Sequence, residues 1–301
     1  STRKESSAAS DVYKRQISGS LNMDLTIKSP YMPEEGETIT GSDFMTNGGG
    51  KGANQATAAA KLGGNVFMCG AVGKDGFGET LLNNLKTAGV NTDFISEENG
   101  VSTGIAVIIV ANGNNRIILD KGANATLTVE KTAKFLENAS AGDIFLTQLE
   151  NPIDVIGESL KIAKGKGLFT ILNPAPANKD IIPYLGYVDL ITPNETEMEL
   201  LGGKEELFKV GIKKIVTTLG SEGYEIADAD GAKVYPCLKV RAIDTTAAGD
   251  TLCGGLAVGL AEGRSLEEAA AFGSKAASIA CTRRGAAQSV PTREETDNYK
   301  A

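Results

Sequence analysis

The chain has 301 residues, 41% hydrophobic and 23% charged, enough for one large α/β domain or two smaller ones with an ordinary core. The net charge of −8 repels a phosphate backbone, and the longest uninterrupted apolar run, Ile105 to Ala111, is too short for a bilayer-spanning helix. Neither nucleic acid nor a membrane is therefore expected as a partner, although the Arg283-Arg284 pair suits a small anion.

The first sixteen residues, Ser1 to Gln16, are polar and Ser/Ala-rich, without strand alternation or a capped apolar stripe. They read as a non-native or disordered leader outside the fold, with a first strand half present within Tyr13 to Ser20. After them the pattern divides. Asp24–Lys28, Glu37–Met45, Thr103–Val110 and Asn115–Asp120 alternate as strands of a small, mostly antiparallel sheet, the last two joined through Ala111-Asn112-Gly113-Asn114. The remainder alternates helix and strand. Helix 52–62 precedes strand 65–71 and helix 76–88; helix 129–138 precedes strand 143–146, helix 153–164 and strand 168–172. Strand 188–192, helix 195–201 and strand 213–219 follow, then a hairpin over 224–236 and two Ala/Gly-rich helices, 249–262 and 265–282, before a short tail helix. Such alternation predicts one α/β domain, 17–301, with a mostly parallel sheet covered on both faces, and a β lid drawn from about 24–46 and 103–120.

The chain contains no histidine. Proton transfer must therefore use Asp, Glu, Lys, Tyr or Cys, and any metal is a hard, oxygen-bound cation. The cysteines Cys69, Cys237, Cys253 and Cys281 are scattered, without C-x-x-C spacing, which suits free thiols in a reducing cytoplasm. Glycine is abundant, 36 residues or roughly 12% against about 7% on average.

Four motifs carry candidate chemistry. Asn47-Gly48-Gly49-Gly50-Lys51-Gly52-Ala53-Asn54-Gln55 opens a helix with backbone that a ligand can approach closely, yet it fits neither the Walker A nor the dinucleotide-binding spacing. Asp244-Thr245-Thr246-Ala247-Ala248-Gly249-Asp250 starts a helix with small residues, presenting unpaired N–H groups and the positive dipole end as an anion hole. Asp250 alone would serve equally as a helix cap. Thr192-Pro193-Asn194-Glu195-Thr196-Glu197 stands at a strand end, where Asn194 and Glu197 either cap a helix or face a phosphate–Mg²⁺ group. Thr218-Leu219-Gly220-Ser221-Glu222-Gly223 is either a hairpin approach or a nucleotide-facing loop.

In this order, together with Gly19-Ser20-Leu21-Asn22-Met23-Asp24, Pro33-Glu34-Glu35-Gly36-Glu37-Thr38, Gln148-Leu149-Glu150, Asn173-Pro174-Ala175-Pro176 and Thr282-Arg283-Arg284-Gly285-Ala286, these motifs resemble the ribokinase-like (PfkB) carbohydrate kinases from about Ile17 onward. The resemblance implies a three-layer α/β/α fold with a β-sheet lid, phosphoryl transfer from ATP to a sugar 5-hydroxyl with D-ribose as the sugar, and a homodimer formed through the lid. It implies Asp250 as the base, with the amides of Ala247, Ala248 and Gly249 as the anion hole. Asn22, Asp24, Gly50, Lys51, Gly52, Ala53, Asn54 and Glu150 would hold the sugar. Asn194, Thr218, Leu219, Gly220, Ser221, Glu222, Gly223 and Ser274, with Gly249 and Asp250, would line the ATP site, and Glu197 would organise Mg²⁺ through water. A K⁺ ion would sit among Asp244, Thr246, Ala280, Arg283, Gly285 and Ser289. Three features depart from the family pattern: the leader in place of the family's apolar first strand, the short segment 202–211, and Ser274 where the family often places a histidine against adenine. Other PfkB sugar or nucleoside kinases, or a catalytically silent sugar-binding homologue, remain as alternatives.

Overall fold

The structure, a computed structural model, describes residues 14–112 and 114–300. In chain order the first half comprises β1 (Arg15–Ser18), β2 (Asn22–Ser29), β3 (Ser42–Gly49), α1 (Lys51–Lys61), β4 (Val66–Gly73), α2 (Gly76–Thr87), β5 (Asn91–Glu98), β6 (Gly104–Ala111), β7 (Asn114–Asp120) and α3 (Val129–Glu137). The second half comprises β8 (Ile144–Thr147), α4 (Ile153–Gly165), β9 (Phe169–Leu172), β10 (Leu190–Ile191), α5 (Glu195–Leu200), α6 (Lys204–Lys209), β11 (Lys214–Thr218), β12 (Tyr224–Asp228), β13 (Gly231–Tyr235), α7 (Ala248–Ala261), α8 (Leu266–Ala280) and α9 (Arg293–Asn298).

Nine strands form the central sheet in the order β13-β12-β11-β10-β9-β8-β1-β4-β5. All neighbours from β11 to β5 run parallel, and the β12–β13 hairpin adds an antiparallel edge. Period-two alternation along these strands divides the core into two layers. Leu146, Ile171, Leu190 and Val216 face one side with α1, α2, α7 and α8 residues such as Ala56, Leu85, Leu256 and Ala276. Their neighbours Phe145, Leu172, Ile191 and Ile215 face the other side, against Phe135, Leu160, Met198 and Leu207. A strand buried on both faces needs apolar residues at every position, which explains the short continuous runs Ile144–Leu146 and Leu190–Ile191. The fold is thus the expected three-layer α/β/α arrangement.

A second, four-stranded sheet in the order β3-β2-β6-β7 forms the lid. Its outer pairs are antiparallel, and β2 and β6 at its centre are parallel. Gly113, in the turn expected between β6 and β7, lies outside the described residues.

Three element boundaries differ from expectation. The first strand begins at Arg15, inside the stretch taken as a leader, and residues 1–13 of that stretch lie outside the described residues. Arg15 and Gln16 are buried because β1 pairs with both β4 and β8, so backbone bonding rather than side-chain hydrophobicity places it at the sheet's centre. Arg15 additionally donates from Nη2 to the Val258 carbonyl at 3.3 Å. The second lid strand starts at Ser42 and runs on to Gly49, rather than covering Glu37–Met45, since 34–37 form a turn closed by Glu37 N–H to Glu34 O. Strand β5, mostly half-buried at the sheet edge, was not anticipated, its mixed polar sequence carrying no clean period. The short segment between β10 and β11 still forms α5 and α6, so the parallel crossover is intact.

The glycines before α1 are explained by close approach. Gly50 has φ +89°, and a Cβ there would meet Asn22 N at 2.7 Å. At Gly52 a Cβ would lie 2.5 Å from both Gly19 C and Ser20 N, backbone atoms that cannot rotate away. Gly52→Ala gains up to about 1 kcal/mol of helix propensity but incurs an overpacking cost of about 1–3 kcal/mol, so net destabilisation is expected. Thermal unfolding of Gly52→Ala should show a lower Tm, and an equal or higher Tm would show that the Gly19–Ser20 backbone yields freely.

Candidate active site

Every motif singled out in the sequence except the first lid turn converges on the carboxyl ends of the parallel strands and the helix starts beside them. β1 leads to Gly19 and Ser20, β8 to Gln148 and Glu150, β9 to Asn173, β10 to Thr192 and Asn194, and β11 to Thr218 and Gly220. In open parallel sheets this edge is where ligands bind.

Helix α7 points its N-terminus into this edge. Ala247, the residue preceding it, adopts a left-handed conformation at φ 59°, which costs a non-glycine residue about 1 kcal/mol. The turn is further set by Ala248 N–H donating to Thr245 O at 3.2 Å. Of the three amides expected to form the anion hole, that of Ala248 therefore has an intramolecular partner here. A Cβ at Gly249 would meet nothing within 4 Å, so the first helical turn faces open space.

Two cavities meet at this turn. The larger, about 520 Å³, is lined by Thr218, Gly220, Ser221, Gly223, Gly249 and Ser274, joined by the unanticipated Leu238, Val240, Ala242 and Ala277. Leu219 and Glu222 belong to the same turn, with Glu222 N–H bonded to Leu219 O, but do not line the cavity. The smaller, about 250 Å³, is lined by Lys51, Asn194, Glu197, Asp250 and Cys253 among others. Thr218, Thr245, Ala248 and Gly249 border both. One cleft thus has a roomy apolar arm and a polar arm joined across the start of α7.

Asp250 is buried in the polar arm, with Asn54 Nδ2 donating to Oδ2 at 3.1 Å and Gln55 Nε2 donating to Oδ1 at 2.9 Å. Asn54 Oδ1 is buried without a partner. Around Asp250 stand further charged groups. Burial, reinforced by the charges of Glu150 and Asp250, pushes the Asp24 carboxyl up to about 7. Burial would lower Lys51, but Asp250, Glu150 and Glu197 outweigh it and hold its ammonium above the ordinary value. Burial raises Glu197, against the Asn194 amide and Lys51, with Asp250 adding to the rise.

The residues expected to hold the sugar come together from separate parts of the chain. Glu150 accepts from the Ser20 hydroxyl, from Lys51 N–H at 3.1 Å and from Asn22 Nδ2 at 3.4 Å. Asn22 Oδ1 in turn accepts from Asn124 at 2.8 Å. Asp24 lies so close to Gly49 that a Cβ there would stand 2.5 Å from its Oδ2. Gly52 and Ala53 contribute backbone proximity, Ala53 N–H donating to Ser20 O at 3.0 Å. Ser20, Gln148 and Asn173 stand in the motifs read from the sequence but carry no assigned role there, and Asn124 is missed entirely. Their partners lie far away in the chain, so no local spacing announces them.

Asn194 and Glu197 form a reciprocal capping box, Glu197 N–H to Asn194 Oδ1 at 2.8 Å and Asn194 N–H to Glu197 Oε2 at 2.9 Å. Both nevertheless border the polar arm. Glu197, a carboxylate bordering the polar arm, is the kind of oxygen donor a hard divalent ion takes and would hold one through water. Asp244 accepts from Thr246 N–H at 2.9 Å, Thr246 Oγ1 at 2.6 Å and Gly285 N–H at 3.0 Å, and these bonds outweigh burial to hold it below the usual carboxylate range. That bridge joins two of the stretches expected around K⁺. Ala280 O accepts from Arg283 N–H, Ser289 Oγ donates to Ala286 O, and the Arg283 guanidinium pairs with Glu295 at 2.8 Å rather than facing Asp244. Among the described residues no cluster of three or more Cys, Asp and Glu is placed to hold a metal.

An anion-binding helix start between an apolar cavity and a hydroxyl-matching pocket, with a buried carboxylate at the junction, defines a small-molecule phosphotransferase. The chain belongs to the family described as pfkB family carbohydrate kinase, which matches residues 16–293. It is 39% identical over 293 residues to a ribokinase of Haemophilus influenzae, covering 93% of this chain and 96% of that one. Among solved structures, ribokinase from Thermotoga maritima is 35% identical with a TM-score of 0.85, covering 95% of this chain and 98% of that chain. Arabidopsis thaliana ribokinase complexed with ribose and ATP is 30% identical with a TM-score of 0.85, over 95% and 97% of the two chains.

The raised Asp24 gives a pH signature. Its folded-state value of about 7 lies above that of an unfolded aspartate, so the folded chain holds the proton more tightly and loses stability as pH rises through about 7. Asp24→Asn should therefore raise the Tm of the ligand-free protein at pH 8.5, by about 1–3 kcal/mol equivalent after solvent screening. The gain should shrink at pH 5.5. Melting curves at both values check this, and a difference independent of pH would place the cause elsewhere.

Proposed function

We propose that this chain is an ATP-dependent ribokinase, transferring the γ-phosphoryl group of ATP to the 5-hydroxyl of D-ribose. The observation that carries the reading is Asp250, buried at the start of α7 where the two arms of the cleft meet. The near-full-length likeness to ribokinases supports the substrate.

In this reading the sugar lies among Asn22, Asp24, Lys51, Asn54 and Glu150, whose acceptors and donors match a polyol. ATP lies in the larger cavity, its base between the Gly220–Gly223 turn and α8 at Ser274, a small hydroxyl that leaves adenine contacts to apolar neighbours. Asp250 accepts the 5-hydroxyl proton as that oxygen attacks, and the ADP oxygen leaves on the opposite side. N–H groups of the first α7 turn, Gly249 foremost, face the charge developing on the transferring group. Lys51 stands between the carboxylates and the phosphate side, offsetting negative charge from both. A Mg²⁺ ion, held through water by Glu197, would neutralise phosphate charge when bound, and K⁺ near Asp244, Thr246 and Gly285 would do so from behind the anion hole. The lid covers the sugar and excludes water that would otherwise accept the phosphoryl group. No helix among the described residues is long and apolar enough to cross a membrane, and a cytoplasmic site of action accords with the free thiols.

Replacing Asp250 with Asn should lower kcat about 10²–10⁴-fold while leaving ribose affinity nearly intact, since the lost role belongs to the transition state. The assay is ADP release with ATP and Mg²⁺, comparing D-ribose, fructose and adenosine in K⁺ or Na⁺. Full activity of Asp250→Asn would remove the base assignment, and preferred turnover of another acceptor would keep the mechanism and move the substrate.

The lid also supports the homodimer. Phe44, Ile117, Ile118 and Leu119 are exposed, Ile118 by 67%, so the two edge strands of the lid, β3 and β7, carry apolar groups into solvent. A second lid would cover them. Ile118→Asp should then convert a dimer to a monomer in sedimentation velocity, and an unchanged sedimentation coefficient would place any interface elsewhere.

A further inference from the structure

Both oxygens of Asp250 are held by amide side chains of one helix, Asn54 and Gln55 of α1. Gln55 is fully buried and belongs to a longer chain of hydrogen bonds. Its Nε2 also donates to Asn173 Oδ1 at 3.1 Å, and its Oε1 accepts from Gln148 Nε2 at 2.6 Å. Asn173 Nδ2 donates to the Thr192 carbonyl at 2.8 Å. Thr192 Oγ1 lies 3.3 Å from Cys253 Sγ, one turn beyond Asp250 on α7. The path from Asp250 through Gln55, Asn173, Thr192 and Cys253 thus returns to the helix that bears Asp250. It crosses the ends of β9 and β10, and Gln148 ties it to the end of β8.

The polarity of this ring is set at one point. The Thr192 carbonyl can only accept, so Asn173 must turn its NH₂ toward it and its oxygen toward Gln55. Gln55 must then present its NH₂ to that oxygen, and the same NH₂ group reaches Asp250. Reversing Gln55 would face its oxygen to Asn173 Oδ1 and Asp250 Oδ1 together, and Gln148 Nε2 would lose its acceptor. The Asp250 oxygen nearest Gln55 therefore always meets a donor, because the amide that faces it cannot reverse within this chain of bonds.

We propose that Gln55 is a positioning residue for Asp250: the Asp250–Gln55–Asn173–Thr192 chain fixes the orientation of the carboxylate against the sheet ends and leaves its remaining lone pairs for the substrate hydroxyl. This rests on the reading of Asp250 as the base. Gln55 touches neither substrate in that reading, so its effect falls on kcat.

The test compares the parent, Asp250→Asn, Gln55→Met, Gln55→Glu and Gln148→Met by kcat, KM for ribose and ATP, thermal melting and the pH profile of kcat. Gln55→Met keeps length but removes both donors. It should lower kcat about 10–100-fold with both KM values within about threefold. Gln55→Glu sets a like charge against Asp250, which disfavours ionisation, so the acid limb of the kcat profile should move to higher pH. A merely structural defect would lower activity at every pH alike. Gln148→Met leaves the contacts to Asp250 in place but removes the donor to Gln55 Oε1, and with it one of the bonds that hold the Gln55 amide, so a smaller loss of kcat is expected, and this variant decides the matter if a Gln55 variant fails to fold. Retention of parental kcat by Gln55→Met or Gln148→Met, or a loss shared equally with substrate affinity, overturns the proposal. If Asp250→Asn is also fully active, the base reading itself has failed; if Asp250→Asn alone is inactive, only the role of Gln55 has.

Discussion

Burying a carboxylate within electrostatic reach of others costs free energy that hydrogen bonds and a helix dipole must offset, and Asp250 sits under that constraint. Its neighbours show the same cost: burial, with the charge of Asp250 adding to it, pushes Asp24 up to about 7 and raises Glu197. Asp250 is held by two amides from α1 and by the N-terminal end of α7, with the Lys51 ammonium offsetting charge beside it. Each requires the two helices to sit close together, and small residues along α1 and α7 allow that. A Cβ at Gly254 would meet Ala58 Cβ at 2.7 Å, so the helix pair is packed through its smallest side chains. The Ala/Gly richness of both helices is in this sense a property of the site as much as of the core.

The layering of the fold was readable because a strand buried on both faces and an amphipathic helix have different periods. Ile144–Leu146 and Val155, Ile156 and Leu160 fall into those patterns without ambiguity. Arg15 and Gln16 do not, because their place depends on backbone pairing with β4 and β8, which leaves no mark on side-chain polarity. β5 escaped notice for a related reason. An edge strand is covered on one side and tolerates the mixed sequence Asn91–Glu98. The glycine-rich stretch before α1 was legible as a close approach but not as the end of β3, since Gly48 and Gly49 pair with Met23 and Asn22 despite poor strand propensity.

The site divides along the same line. Asp250, Asn54, Asn194 and Glu197 stand in compact motifs whose spacing points to anion binding or capping, and for Asn194 and Glu197 both hold at once. Gln55, Gln148 and Asn173 are ordinary amides in three separate segments, made into one network only by the parallel sheet that aligns the strand ends. A sequence shows that such residues exist but not that they meet.

The lid is joined to the body through the strand that carries Asn22 and Asp24. Asn22 begins β2 and Asp24 follows two residues on, while the far end of that strand, at Lys28 and Ser29, stands out among exposed residues of the lid sheet. β3 returns directly into α1. Because β2 is hydrogen-bonded along its length to β6 as well as β3, tilting the lid as a unit turns the peptide planes at Asn22 and Asp24 with it. The pocket and the lid therefore share one continuous length of backbone, so any displacement of the sheet about the β2 end would be felt first at Asn22 and Asp24.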